Sequence, residues 1–220
     1  MNKEQRGYLT PDQFNRLGRQ AQLDLLEKSF YDYNRHLTRR NIQGVNSEYG
    51  DIADNIQEKI DALSKEASIT FTAGVYNTSS LNDDVYKIIQ LTTQNRSVEV
   101  ESVKKSELTY LNSSSLNQPQ TDYPVYYYEG NNIKIFPTSI TSATLDYIKV
   151  PSDPVWGYTG GGAAAYVYSS GASTDFELHP SEETSLVIKI LSYAGIIIKD
   201  PLVVQSAQQQ EVNTLNQENS

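Results

Sequence analysis

The sequence has no cysteine, one methionine, one tryptophan and two histidines. The lack of cysteine excludes disulfide staples and thiolate-held metals, and it leaves no redox address in the chain. The two histidines offer little chemistry. His36 lies among Arg35, Arg39 and Arg40, with no carboxylate at ligand spacing, and His179 precedes Pro180 at a helix start, where capping or packing is its expected role. No Gly-x-Ser-x-Gly nucleophile elbow is present. Gly160-Gly161-Gly162 lacks the following Lys-Ser/Thr that a phosphate loop needs. Asp83-Asp84 reads as a turn and Glu182-Glu183 as a helix start, not as acid/base dyads. The expectation is therefore a chain that is not an enzyme, with no catalytic residue, metal ligand or cofactor.

Long hydrophobic runs are also missing. No stretch reaches the length that spans a bilayer, and the most apolar one is interrupted by Lys189. The opening residues, MNKEQRGYLTPDQF, have no apolar signal-peptide core. A soluble protein made in a cytoplasm, with no membrane partner, is expected. Hydrophobic residues make up only 38% of the chain. Gln, Asn, Ser and Thr take their place, which implies an extended shape, a surface covered by partners, or a polar single domain.

Basic charge is scarce beyond the N-terminal part. Residues 1–45 hold 8 Lys/Arg against 5 Asp/Glu, the remainder holds 10 against 22, and the chain carries a net -9. An acidic body argues against gripping nucleic acid, which needs a basic stripe. It is compatible with ordinary solubility and with a surface along which DNA passes without sticking.

What the chain does have is organised around residues 176–198, FELHPSEETSLVIKILSYAGIII. Leu186, Val187, Ile190, Leu191 and Ala194 form one helical stripe, with Ile188 and Tyr193 off it. Pro180 suits the first turn, Glu182 and Glu183 complement the helix dipole, and Gly195 is placed to end or interrupt the helix. A helix this apolar around its circumference needs cover on more than one side.

Upstream, Thr10, Pro11 and Gln13 predict the start of a long helix over residues 11–43, about 50 Å in length. Phe14, Leu17, Ala21 and Leu25 recur at helical spacing, with Leu26, Phe30 and Leu37 beside them, so the helix should pack along a neighbour in its own chain or another. A second helix is expected from Ser47 or Asp51 to Leu63, forming a helical hairpin with the first. From Ala67 the period changes. Strands are predicted at Ile69–Thr72, Val85–Thr93 and Ser97–Val103, a hairpin at Val125–Phe136 and a last strand at Ala143–Val150, which together make a small, mainly antiparallel sheet. Residues 157–173 read as a flexible loop or a β-hairpin arm with Ala165–Tyr168 as its ordered part. Pro201–Ser220 reads as a tail or terminal helix ordered mostly by contact.

The expected class is α+β. An N-terminal long-helix hairpin (1–66) and C-terminal helices pack together, with an inserted small, mainly antiparallel β-sheet domain (67–156). A Gly/Ala/Ser-rich loop or arm (157–175), a core helix (176–199) and a C-terminal tail or docking helix (200–220) follow. Phe14, Leu25, Phe30, Arg35, Arg39 and Arg40 are candidate subunit-interface residues, since the basic end of the long helix can meet an acidic neighbour head to tail as well as complement its own dipole. Tyrosine is abundant, at 16 residues, and Tyr123 and Tyr126–Tyr128 cluster on one strand. Tyrosine suits interfaces and sugar stacking; strand alternation alone would put Tyr126 and Tyr128 in the core and Tyr127 outside.

Three blocks carry a resemblance. LTPDQFNRLGRQAQLDLLEKSFYDYN runs on to NSEYGDIADNIQEKID; VYYYEGNNIKIFPTSITSATLDYIKVPSDPVW follows in the sheet region; DFELHPSEETSLVIKILSYAGIII precedes a Gln-rich tail. In pattern and order they resemble head-to-tail connector (ring or adaptor) proteins of short-tailed bacteriophages, especially crAss-like phages. The resemblance implies a virion structural protein assembled in the host bacterial cytoplasm and placed at the portal vertex. It implies own copies in a ring, typically of about twelve, with the portal protein and other tail ring proteins as partners and double-stranded DNA passing without specific binding. By that analogy Pro201, Leu202, Val212 and Leu215 belong to a portal-contacting segment. Gly161, in the arm Gly160–Ala165, faces the next ring, and Tyr127, Trp156 and Tyr158 are further candidate partner contacts. A carbohydrate-binding tail module, with Tyr126–Tyr128 and Trp156 as a stacking platform, and a cell-wall hydrolase are the other classes.

Overall fold

The computed structural model describes residues 9–43, 50–93, 96–160, 166–198 and 201–218, and within them the fold is α+β. In chain order the helices and strands are α1 (Pro11–Gln43), α2 (Gly50–Asp61), β1 (Ser64–Thr70), β2 (Val75–Asn77), β3 (Val85–Thr93), β4 (Val98–Glu99) and β5 (Glu101–Ser102). They continue with α3 (Lys105–Ser113), β6 (Val125–Glu129), β7 (Asn132–Phe136), β8 (Ser142–Lys149), β9 (Tyr158–Thr159), β10 (Val167–Tyr168), α4 (Glu183–Ile198) and α5 (Pro201–Glu218). Two compact units result: a sheet unit, Leu63–Val150, and a helical unit built from the chain on either side of it. Among the described residues no helix is long and apolar enough to cross a membrane.

In the helical unit, α1 begins with a reciprocal cap. The Thr10 N–H donates to Gln13 Oε1 at 2.9 Å, and the Gln13 N–H donates back to Thr10 Oγ1 at 3.3 Å, so two of the otherwise unpaired donors of the first turn are satisfied. One face of α1 packs on α4: Ala21 and Leu25 meet Leu186 and Ile190, with Phe14, Phe176, Leu178 and Tyr193 around them. Gly18 makes this possible. A Cβ there would lie 3.0 Å from the Phe176 ring, so a residue that costs helix propensity leaves room for an aromatic ring. His179 caps the turn Pro180–Glu182: its Nδ1 accepts from the Ser181 N–H at 3.3 Å. The turn leads into α4, which runs through Gly195 to Ile198, so Gly195 does not end the helix. On α2, Gln57 Oε1 accepts from the Tyr33 hydroxyl of α1 at 3.2 Å.

The sheet unit holds two four-stranded sheets, ordered β1-β8-β3-β4 and β2-β7-β6-β5, where the sequence suggested a single small sheet. Their facing sides share one core of Ile69, Phe71, Leu91, Val100, Tyr126, Ile133, Ile135, Ala143, Leu145 and Tyr147. The alternating run VEVESV is one extended segment that changes sheets. Val98–Glu99 pairs with β3, Glu101–Ser102 pairs in parallel with β6, and Val100 is buried between them. A strand that turns such a corner joins two packed sheets. The first strand starts at Ser64, three residues before the expected change of period, and pairs with β8 over seven residues. SKEASIT has few β-branched residues, so pairing rather than propensity sets this strand.

Two tight turns follow known chemistry. Gly130, with φ +61, is the first of the two residues between β6 and β7, the position that a type II′ turn gives to glycine. Between Thr72 and Val75, Ala73 and Gly74 both have positive φ, +51 and +77, the pattern of a type I′ turn with alanine where asparagine is favoured. The ends of the sheet unit meet: the Lys149 N–H donates to the Leu63 carbonyl at 3.0 Å.

Candidate subunit interface

Helix α4 is held from several sides by polar ties. The Tyr193 hydroxyl donates to the Asp24 carboxylate of α1. Burial, and then this hydrogen bond, push the phenol pKa well above its ordinary value, because both disfavour a phenolate. Lys189 lies 3.5 Å from Glu211 of α5 and 5.8 Å from the centre of the Tyr193 ring. Just before α4, the buried Glu182 pairs with Lys59 of α2. Gln22, 1% exposed, accepts from the Glu177 N–H and donates to the Ser152 carbonyl, both at 2.9 Å. A buried amide satisfied at both ends fixes the register of the segments it joins.

The outward side of this anchored helix is apolar. Val187 is 51% exposed and Leu191 46%, although both lie on the stripe expected to be core. Ile188, expected off the stripe, is buried instead. An open groove of about 570 Å³ separates α4 from α5, lined by Glu183, Thr184, Val187, Ile188 and Leu191 on one wall and Gln210 and Asn213 on the other. On α1, Glu27, Tyr31 and Arg35 are exposed at a spacing of four residues, Tyr31 to 68%.

Two sequence-derived candidates are corrected. Leu25 is 5% exposed and packs inside its own chain on α4, so the stripe on α1 serves an internal neighbour there. Tyr127, 8% exposed, is stacked on Phe136 at 6.1 Å with Lys134 over its ring; it lies on the face opposite the core, as alternation requires, but is covered. Its neighbour Tyr128 is exposed and shares a hydrogen bond with Thr78 Oγ1. Phe14 and Phe30 are half-buried, and Phe14 meets the edge of Trp156 with ring centres 6.4 Å apart. The Trp156 backbone N–H donates to Asn15 Oδ1 at 2.7 Å. Tyr158 is half-buried, edge-on to Tyr166 at 4.9 Å. Arg35 and Val212 are exposed. Gly161 and the side chains of Arg39, Arg40, Pro201, Leu202 and Leu215 lie outside the described residues.

Sequence reasoning missed the exposed stripe of α4. Its signal was the apolar circumference itself, which gives one helix more apolar faces than two neighbours cover. Tyr31 carried a weaker signal, an aromatic four residues from two charged side chains on the α1 face away from Leu25. Among the described residues no group of three or more His, Asp or Glu side chains is placed to hold a metal ion. No protein-family model matches the chain, and no curated protein matches it.

Proposed function

We propose that this chain is a non-enzymatic virion structural subunit, one of about twelve copies in a ring that joins the capsid portal to the tail and continues the DNA channel. The carrying observation is the exposed apolar side of α4. Val187 and Leu191 stay half-exposed on a helix tied to α1 and α5 and preceded by a turn tied to α2, a surface that further protein would cover at a gain of roughly 25 cal/mol per Å². The virion setting comes from the resemblance of the three sequence blocks to connector proteins. The net charge of -9 suits a channel wall to which DNA does not adhere. On this reading the helical hairpin and the C-terminal helices form the ring body, and α5 turns its exposed Val212 toward the portal. The proposed partners are the portal, other tail ring proteins and the passing duplex.

The test is electron microscopy and native mass spectrometry of the purified chain, alone and with its portal protein. Rings, free or seated on the portal, are expected. A chain that stays monomeric in both preparations and over a wide range of salt would refute the reading. The alternative of a carbohydrate-binding module has less support: Tyr126 and Tyr127 are buried and the Trp156 ring meets Phe14, while Tyr128 stays exposed.

A further inference from the structure

The groove beside α4 and the outward stripe of α1 match each other in length, chemistry and charge order. On α4, Glu183, Val187 and Leu191 follow at four-residue steps, a carboxylate and then two exposed apolar side chains. On α1, Glu27, Tyr31 and Arg35 are exposed at the same steps, a carboxylate, an aromatic ring and a guanidinium. Each stripe covers about 12 Å of helix. Tyr31 stands six residues beyond the buried Leu25, about 240° around the helix, so it points away from the α4 of its own chain and cannot fill that groove.

We infer that the groove between α4 and α5 receives α1 of a second copy of this chain, laid antiparallel to α4. This inference rests on the reading of the protein as a self-assembling subunit and names the contact. Charge decides the direction. An antiparallel alignment sets Arg35 against Glu183, Tyr31 against Val187, and the Glu27 methylenes over Leu191. A parallel alignment sets Glu27 against Glu183, which repels. The tyrosine ring fills the apolar floor, while Asn213 on the α5 wall offers an amide to its phenol oxygen. Stripe and groove are different surfaces, so each copy gives α1 to one neighbour and its groove to the other. A contact of this kind closes into a ring or runs on as a filament.

The absence of native cysteine makes the contact directly readable. Under oxidation, the double variant Tyr31→Cys/Val187→Cys is expected to give a ladder of linked chains. Each single variant is expected to give none, and the two singles mixed should give linked dimers only. Separately, Arg35→Glu and Glu183→Arg should each raise the concentration for half-assembly by about tenfold, and mixing the two proteins should restore assembly, because every contact in the mixture can again pair opposite charges. Wild-type rings with no ladder and no response to either charge reversal would overturn this contact and leave the ring reading standing. Wild-type chain that never assembles would overturn both. Linking within either single variant, or failure of the mixture to recover, would also overturn the head-to-tail geometry.

Discussion

The sheet unit and the helical unit treat their apolar side chains differently. In the sheet unit ten buried residues from both sheets close one core, with Leu145, Ile133 and Ile135 fully inside. Among the described residues of the helical unit the cluster between α1 and α4 holds four, Ala21, Leu25, Leu186 and Ile190, with Leu26, Ile60, Ile188, Ala194 and Ala207 buried outside it, while Val187, Leu191 and Tyr31 remain at the surface. The sheet unit closes a larger core of its own, although Ile89, Tyr110, Leu116 and Tyr123 stay exposed on it. The helical unit holds its shape with polar ties, Tyr193–Asp24, Lys189–Glu211 and Lys59–Glu182, and keeps apolar surface outward. Apolar area thus serves cohesion in one part of the molecule, and in another some of it stays at the surface, where the proposed association would cover it.

The contrast breaks most visibly under truncation. Leu145→Ala should cost the sheet unit about 2–5 kcal/mol, whereas Val187→Ser should change the stability of the isolated chain by no more than about 0.5 kcal/mol. Hydrogen exchange, followed separately in each unit, reads both. Similar losses from the two substitutions would erase the distinction.

Next in size is Tyr193→Phe. It removes one polar tie and little apolar area, and it should cost about 1.5–3 kcal/mol, with faster exchange centred on α1 and α4. The raised phenol pKa adds a pH signature. The contribution is full below the ordinary tyrosine value of 10.0 and fades as pH climbs through the higher folded value. A variant as stable as wild type at neutral pH, with unchanged alkaline unfolding, would show that shape alone holds α4.

Smaller again, and opposite in sign, is Ala73→Asn. Alanine with φ +51 in a two-residue turn is strained, and asparagine should stabilise the sheet unit by about 0.5–1 kcal/mol in denaturant titrations. The smallest effect concerns surface charge. Hydrogen bonds from Lys105 and then Lys134 hold the Glu129 carboxyl at a pKa of about 2, against an ordinary 4.5. Its contribution is present above pH 4.5 and disappears as pH falls through about 2. Carboxyl NMR should place the midpoint there and move it upward in Lys105→Ala. High salt should weaken the effect, since the group is exposed.

Much of the helical architecture is legible in the sequence, because caps and stripes are local. Thr10, Pro11 and Gln13 mark the start of α1, and Ile56 and Ile60 mark the buried side of α2. The sheets are less legible, because strand pairing depends on distant residues. Residues 64–68, the first part of β1, carry no strand signal until β8 lies beside them, and nothing local in VEVESV announces that Val100 is a corner. For the candidate interface, periodicity identified α4 but could not rank its faces. Val187 and Leu191 are as apolar as Leu186 and Ile190, and only the placement of α1 and α5 decides which pair stays outside. Tyr127 shows the same limit: alternation gave its side of the strand, while Phe136 and Lys134 supplied its cover.

The hydrogen bond between Lys149 and Leu63 brings the incoming and outgoing strands of the inserted unit side by side. A module whose two ends emerge together can be lengthened, shortened or exchanged for another without stretching the scaffold that receives it. Change in what the module meets is thereby uncoupled from change in the helices that carry it, and the same doorway offers protein engineers a site for grafting a foreign domain.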